Sequence, residues 1–286
     1  MFGRRHTVAT VSFLNAKPLV DGLENEPRID LISDVPSRLL ESLIEERASV
    51  ALCPVIDFQI SPIELDIIPV GAIGCDGCTL TVRVFSRVPM HMVSDVQTDG
   101  DSHTSVALLM VVFDALYQRA PEIRALESTD LNRTASPPET VLLIGDKVVR
   151  DRPDSELYPY QIDLGEAWQA MTGMPFVFAC WMARADSGLG ELPDLLAACR
   201  DRNRNRSAEI AAIYCRSSGW PEELAAEYLG DILRYDLGPR ELEAIGLFWS
   251  KCHDLGLIER LRPMKLYEPR SEPARKNLNS NSARKS

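Results

Sequence analysis

Residues 7–20 read TVATVSFLNAKPLV, and how this stretch is folded decides the class of the protein. A β-branched run, Thr7 to Val11, gives way to the small and polar side chains of Ser12 and Asn15, and Pro18 then offers a first-turn position for a helix. A strand that ends in polar groups and feeds a helix is how an α/β protein gathers hydrogen-bonding chemistry at the carboxyl ends of its strands.

The same punctuation continues outward from that stretch. IDLISDV (29–35), SRLLESLIEERA (37–48), SVALC (49–53), PVIDFQ (54–59) and ELDIIPVGAI (64–73) alternate strand-like runs with apolar residues at helical spacing. Such βαβ alternation predicts a mainly parallel sheet.

Two long apolar runs, TLTVRVFSRVPM (79–90) and MPFVFACWMAR (174–184), bracket a middle segment and are expected to cross between two lobes. Between them the spacing predicts a polar loop over 90–101, a helix over 101–119 capped by Asp101 or Ser102, a loop over 131–139, a strand TVLLIGD (140–146), and a helix DLGEAWQAMTG closed by Gly173. The last hundred residues read as mostly helical, with Leu242, Ile245, Trp249 and Cys252 forming a packing stripe. The expected division is a first lobe of 1–85 plus 184–268, a second of 86–183, and a disordered basic tail of 269–286, too poor in apolar side chains to offset its ordering entropy.

Composition narrows the function. A chain of 286 residues, 45% hydrophobic, buries a large core, and a formal charge of −11 opposes attraction to nucleic acid or anionic lipid. The start lacks an uninterrupted apolar signal region and no run approaches a membrane span, so no membrane partner and a cytoplasmic location are expected. Seven cysteines, mostly inside apolar runs, suit reduced buried thiols.

Several motifs carry candidate chemistry. The run Asp99-Gly100-Asp101-Ser102-His103-Thr104-Ser105 sets hydroxyls and free amides at a helix start, where an anion is favoured; the alternative is that these hydroxyls only cap the helix. Turns at 74–79 and 144–146 also follow apolar strands, so several strand ends could share one crevice. Cys75 and Cys78 form a lone C-x-x-C without the further ligands zinc requires, and no dinucleotide or phosphate-loop glycine motif is present. His6, His91, His103 and His253 are scattered, and only His103 lies in a candidate site; the arginine-rich run 200–206 reads as a solvated helix end.

SFLNAKPL (12–19), VALCPV (50–55), GCTLTVRVFS (77–86), DSHTS (101–105), LLIGDK (142–147) and YQIDLGEAWQAMTGMPFVFACW (160–181) together resemble the menaquinone-biosynthesis chorismate dehydratases, over roughly residues 7 to 260. The resemblance implies a two-lobed fold like the type II periplasmic binding proteins, with two crossover strands and ligand in a central cleft. It implies the first step of the futalosine route, in which chorismate loses water to give 3-[(1-carboxyvinyl)oxy]benzoate, a hydro-lyase reaction with no cofactor and no metal. Asn15 is the expected catalytic residue, because a neutral amide at a strand end can donate to a carboxylate or a departing hydroxyl without charge repulsion; its alternative role is a turn former. Ser12, Gly77, Thr81, Ser86, Ser102, Thr104, Ser105 and Asp146 are the expected substrate contacts, although a carboxylate near a dianion fits a structural role for Asp146 better.

Two positions depart from the family pattern. Thr81 stands where a serine is usual, which keeps a hydroxyl, and His103 stands where an arginine is common, which weakens one expected anionic contact. Rival readings are a cytoplasmic small-anion-binding protein or sensor of the same fold, and the related 1,4-dihydroxy-6-naphthoate synthase, whose opening motif differs from SFLNAKPL. The oligomeric state is not fixed by the sequence.

Overall fold

Among the described residues two β-sheets, one of six strands and one of five, divide the chain between them. The computed structural model describes residues 5–126, 131 and 137–269. Part of the loop expected over 131–139, and nearly all of the tail expected over 269–286, lie outside the described residues.

The first sheet has the order β11-β4-β10-β3-β1-β2. Strand β1 (His6–Val11) pairs in parallel with β2 (Ile29–Asp34) and β3 (Val50–Pro54), the arrangement that βαβ punctuation demands. Every residue of β3 is buried, as befits a strand covered on both faces. Strand β10 (Phe176–Arg184) lies antiparallel between β3 and β4 (Leu65–Cys75), and β11 (Leu233–Arg234) closes the far edge antiparallel to β4, so this sheet is mixed and not mainly parallel as the βαβ punctuation predicts.

A register shift separates Cys180 opposite Ala72 from Met182 opposite Ile67, and it has a local cause. Pro69 supplies no ladder N–H, and Gly71 has no Cβ where one would come within 3.2 Å of the Trp181 indole nitrogen. The bulge therefore accommodates a fully buried tryptophan.

The second sheet has the order β7-β6-β8-β5-β9, formed by β5 (Val82–Ser86), β6 (Asp95–Thr98), β7 (Glu122–Ala125), β8 (Thr140–Ile144) and β9 (Tyr160–Asp163). Strand β6 replaces part of the loop expected over 90–101. The chain changes sheets at 76–81 and again between Asp163 and Phe176, so the crossings fall outside the long strands. Residues 82–85, placed by the sequence division in the first lobe, pair in the second sheet; residues 176–183, placed in the second lobe, pair in the first. At the first crossing Leu80 adopts φ +65°, a left-handed conformation costly for a leucine, and Thr81 N–H donates to Thr79 O at 2.7 Å across it.

Helices cover both sheets: α1 (Lys17–Val20), α2 (Leu39–Ile44), α3 (Asp57–Ile60), α4 (His103–Tyr117), α5 (Lys147–Arg150), α6 (Leu164–Thr172), α7 (Leu192–Asn203), α8 (Ser207–Ser218), α9 (Glu222–Glu227) and α10 (Pro239–Asp254). Ser102, not Asp101, caps α4 and accepts from Ser105 N–H. Asp163 caps α6 through Gly165 and Glu166 and also accepts from Thr79 and Leu80 N–H, so one buried carboxylate fastens the first crossing to the helix within the second. A π-turn, Tyr228–Ile232, joins α9 to β11. Ile245, Phe248, Trp249 and Cys252 of α10 are buried in the main core, where Trp249 stacks on Phe58 with ring centroids 5.0 Å apart. Among the described residues no helix is long and apolar enough to cross a membrane.

Candidate active site

The carboxyl ends of β1, β3 and β5's neighbour strand β8, the first crossing, and the start of α4 converge on one cavity between the sheets. It is a narrow cleft, with a cavity volume of about 50 Å³. Val11, Phe13 and Asn15 come from the end of β1, Pro54 from β3, and Ile144 and Gly145 from β8; Thr79, Thr81 and Val82 come from the crossing. Ser102 and Ser105 reach it from the first turn of α4, Phe178 and Ala179 from β10, and Tyr228 from the π-turn. No residue of its lining is charged.

Its polar centre is built from three chain segments far apart in sequence. The Thr81 hydroxyl and the Tyr228 phenol lie 2.7 Å apart, both buried. The Asn15 amide also approaches that phenol, and among the described residues its Oδ1 is buried without a hydrogen-bond partner. A buried acceptor without a donor is costly in an empty protein and is the kind of group a ligand satisfies. Burial pushes the phenol far above its usual pKa, against the opposing hydrogen bonds of Thr81 and, more weakly, Asn15, so Tyr228 is a neutral hydroxyl at physiological pH.

Behind this centre stands Asp146. Its carboxylate accepts from Leu14 N–H at 3.3 Å on each oxygen and from Trp220 Nε1–H at 2.8 Å. Trp220 in turn stacks on Tyr228, with centroids 4.7 Å apart and 22° between planes. Burial raises the Asp146 pKa, and the bonds from Trp220 and Leu14 oppose that rise. Gly145 is required at its place: φ is +62°, and a Cβ there would meet the Phe13 ring at 2.9 Å.

The first turn of α4 divides its side chains. Ser102 Oγ accepts from Ser105 N–H at 3.3 Å and from the Ser105 hydroxyl at 3.0 Å, and both serines line the cavity at the positive end of a 15-residue helix. Thr104 and His103 turn instead toward the other sheet. Thr104 Oγ1 accepts from Ile56 N–H at 3.2 Å, and His103 Nδ1 lies 2.7 Å from the fully buried Asp57 carboxylate. The hydrogen bond to Asp57 is the main reason the His103 pKa is raised.

Of the residues expected from the sequence, Asn15, Thr81, Ser102 and Ser105 are brought together on the cavity wall. Ser12, Gly77, Ser86, Thr104 and Asp146 are not part of that wall. Ser12 is exposed. Gly77, at φ +117°, shapes the crossing, and its carbonyl would lie 2.8 Å from a Cβ on Gly165. Ser86 sits at the far end of β5, bonded to Val88 O at 2.8 Å and to the Thr140 hydroxyl at 2.9 Å. Sequence reading missed Tyr228, Thr79, Phe13 and Phe178; Tyr228 lies in a segment whose pattern speaks only of helical packing. The C-x-x-C pair is split, with Cys75 buried and the more exposed Cys78 donating to Asp163 at 3.2 Å, its thiol pushed up to about 11 chiefly by burial. Among the described residues no group of three or more His, Cys, Asp or Glu is placed to hold a metal ion.

Comparison with known proteins adds to this geometry. A family model described as menaquinone biosynthesis matches residues 6–254. The fold is similar to the crystal structure of protein AF1704 from Archaeoglobus fulgidus, with TM-score 0.69 and 14% identity over 90% of this chain and 100% of that one. It is also similar to the periplasmic aliphatic sulphonate binding protein SsuA of Escherichia coli, with TM-score 0.62 and 11% identity over 91% of this chain and 95% of that one. A Candida albicans gene product with the generic periplasmic binding protein fold aligns with TM-score 0.59 and 9% identity, covering 91% of this chain and 92% of its own. These likenesses show a two-sheet α/β fold of the periplasmic-binding-protein kind, as the sequence motifs imply.

Proposed function

The chain belongs to the menaquinone-biosynthesis family, and on that premise we propose that it is a chorismate dehydratase, a carbon–oxygen hydro-lyase acting in the cytoplasm on a small dianionic substrate. The observation that carries this reading is the union of Asn15, Thr81 and the Ser102–Ser105 turn on one cavity wall without a charged side chain.

Chorismate bears a ring carboxylate, an enolpyruvyl ether with a second carboxylate, and a ring hydroxyl next to the ether-bearing carbon. In the elimination, the ether-bearing carbon loses its proton and the electron pair of that C–H bond becomes the new ring double bond. The adjacent C–O bond breaks, and the hydroxyl leaves with a proton as water. Nothing is oxidised or reduced, and aromatisation of the ring supplies the driving force, so the reading calls on no cofactor. The protein's part is to orient the ring, stabilise developing charge with fixed dipoles, and assist proton transfer.

The wall of the cavity has neutral polar groups suited to that task and no carboxylate or histidine to act as base. The substrate's enolpyruvyl carboxylate therefore serves as proton acceptor in this reading. The α4 start and its two serines receive a carboxylate, and Asn15 and Thr81 face the ring carbons that change.

Incubating the purified protein with chorismate, and following the mixture by chromatography and mass spectrometry, tests the proposal. Formation of an aromatic product lighter by one water supports it. Chorismate that binds unchanged identifies a sensor, and chorismate that neither binds nor reacts leaves the naphthoate synthase reading; either result overturns the dehydratase.

A further inference from the structure

Asp99 and Asp101 stand just before the α4 turn that lines the cavity, and their carboxylates work against an acidic guest. The positive end of a helix attracts an anion, and an acidic side chain placed there answers that attraction before a ligand arrives. Ser102 is the N-cap of α4 and lines the cavity with Ser105, so Asp101 directly precedes the wall. The segment is held in place. Asp101 O accepts from Ser37 N–H at 3.0 Å, next to Pro36 of the cavity wall, and Asp101 N–H donates to Asp99 Oδ1 at 3.0 Å.

One cation answers both carboxylates. Lys147 Nζ donates to Asp99 and to Asp101, and among the described residues no other cation pairs with either. The three side chains are only 14–20% exposed, so ions in solution screen the cluster poorly. His103, the titratable side chain of the same turn, is directed to Asp57 instead. Lys147 itself lies outside the cavity wall, yet it follows Gly145, which lines the wall, and Asp146, which accepts from Leu14 and Trp220.

We propose that Lys147 is a specificity-determining residue for anions at this site: by offsetting the charge of Asp99 and Asp101 it keeps the α4 turn attractive to a carboxylate. The inference rests on the dehydratase reading, in which that turn receives a substrate carboxylate, and goes beyond it in naming the group that fits an acidic helix start to an acidic guest. Lys147 touches no substrate and acts through the field of its two partners. Two carboxylates against one ammonium leave a single negative charge; without the ammonium there would be two, and like charges in a poorly screened interior repel strongly. The same ion pairs also brace the loop before Ser102. A bracing role depends on the bonds being intact, whereas charge compensation depends on the sign of the charge left behind.

The test compares wild type, Lys147→Met, the double variant Asp99→Asn with Asp101→Asn, and the triple variant. Calorimetric titration with 3-[(1-carboxyvinyl)oxy]benzoate gives Kd, steady-state dehydration of chorismate gives KM, and thermal melting checks the fold. Lys147→Met and the double variant cut the same two ion pairs but leave opposite charges. Lys147→Met should raise Kd and KM about tenfold, a loss of about 1.4 kcal/mol of binding. The double variant should lower both about threefold or more, and the triple variant should fall between it and wild type. Weaker binding in the double variant than in wild type, or an unchanged Kd in a folded Lys147→Met, overturns the inference while leaving the dehydratase reading in place; where Lys147→Met shows no cooperative melting, the double variant decides alone. A wild type that binds chorismate without converting it overturns the dehydratase and leaves the ranking of Kd values to be read. One that binds neither ligand removes both.

Discussion

Replacing Asp146 by alanine should destabilise the protein without touching the ligand. Its carboxylate satisfies two buried N–H groups from separate segments, Leu14 N at 3.3 Å and Trp220 Nε1 at 2.8 Å. Each donor left unpaired in the interior costs about 1–3 kcal/mol, so the two together set a range of about 2–6 kcal/mol. The length of the Leu14 contact, and relief from burying a carboxylate, bring the expected loss to about 2–4 kcal/mol. Asparagine keeps an acceptor for Trp220 and should lose about 1 kcal/mol or less.

The pH dependence distinguishes these variants further. Burial raises the Asp146 pKa above its unfolded value, so between the two values the folded state binds more protons than the unfolded. The contribution of this carboxyl is therefore most favourable below its unfolded pKa and falls as pH rises through the folded one. The deficit of Asp146→Asn relative to wild type should narrow over that window. Urea unfolding from roughly pH 4, near the unfolded carboxyl pKa, up to roughly pH 7, with unchanged m-values, reads both effects. A loss below about 0.5 kcal/mol in Asp146→Ala, accompanied by a rise in KM for chorismate, would refute the reasoning and put the carboxylate against the ligand.

Three further outcomes are expected. Asn15→Ala should lower kcat at least about 100-fold, yet cost no more than about 1 kcal/mol of stability, because among the described residues its Oδ1 accepts no hydrogen bond and only the weak approach of its amide to the Tyr228 phenol is lost; full turnover in a well-folded variant would exclude it from catalysis. The raised pKa of His103, due first to its bond with Asp57, should add stability that is fully present below about pH 6.5 and lost as pH rises through the higher folded value; melting temperatures from roughly pH 6 to 9 should show this slope, and His103→Gln should flatten it. Gly145→Ala forces a left-handed φ on an alanine and drives its Cβ into the Phe13 ring, so chemical denaturation should show a loss of about 1–2 kcal/mol and turnover assays a raised KM as Phe13 shifts into the cavity.

The fold was legible where strands are apolar. β1, β3, β4, β8 and β10 announce themselves as buried runs, and TLTVRVFSRVPM contains β5. β6, β7 and β9, reading DVQT, EIRA and YQID, are four residues each and largely polar, and they exist because neighbouring strands offer ladders to complete. The site was legible in part for a related reason. Motifs at strand ends were found, but a motif does not say which of its side chains turn inward. Thr81 lies before β5 and Ser86 at its last residue, so about five residues of strand, roughly 17 Å, separate them. Thr104 and Ser105 are adjacent on a helix and face different partners. Tyr228 had no local signal, since only tertiary folding brings it beside a residue 147 positions away.

The uncharged wall of the cavity has a kinetic consequence. A chain with a formal charge of −11 repels an approaching dianion at long range, and no cation within the chamber compensates. Encounter should thus be slow in dilute buffer and quicken once the screening length shrinks to about 8–10 Å, the reverse of electrostatic steering. Once captured, the guest is gripped by short-range dipoles that ions in solution barely touch, so release should be nearly indifferent to salt.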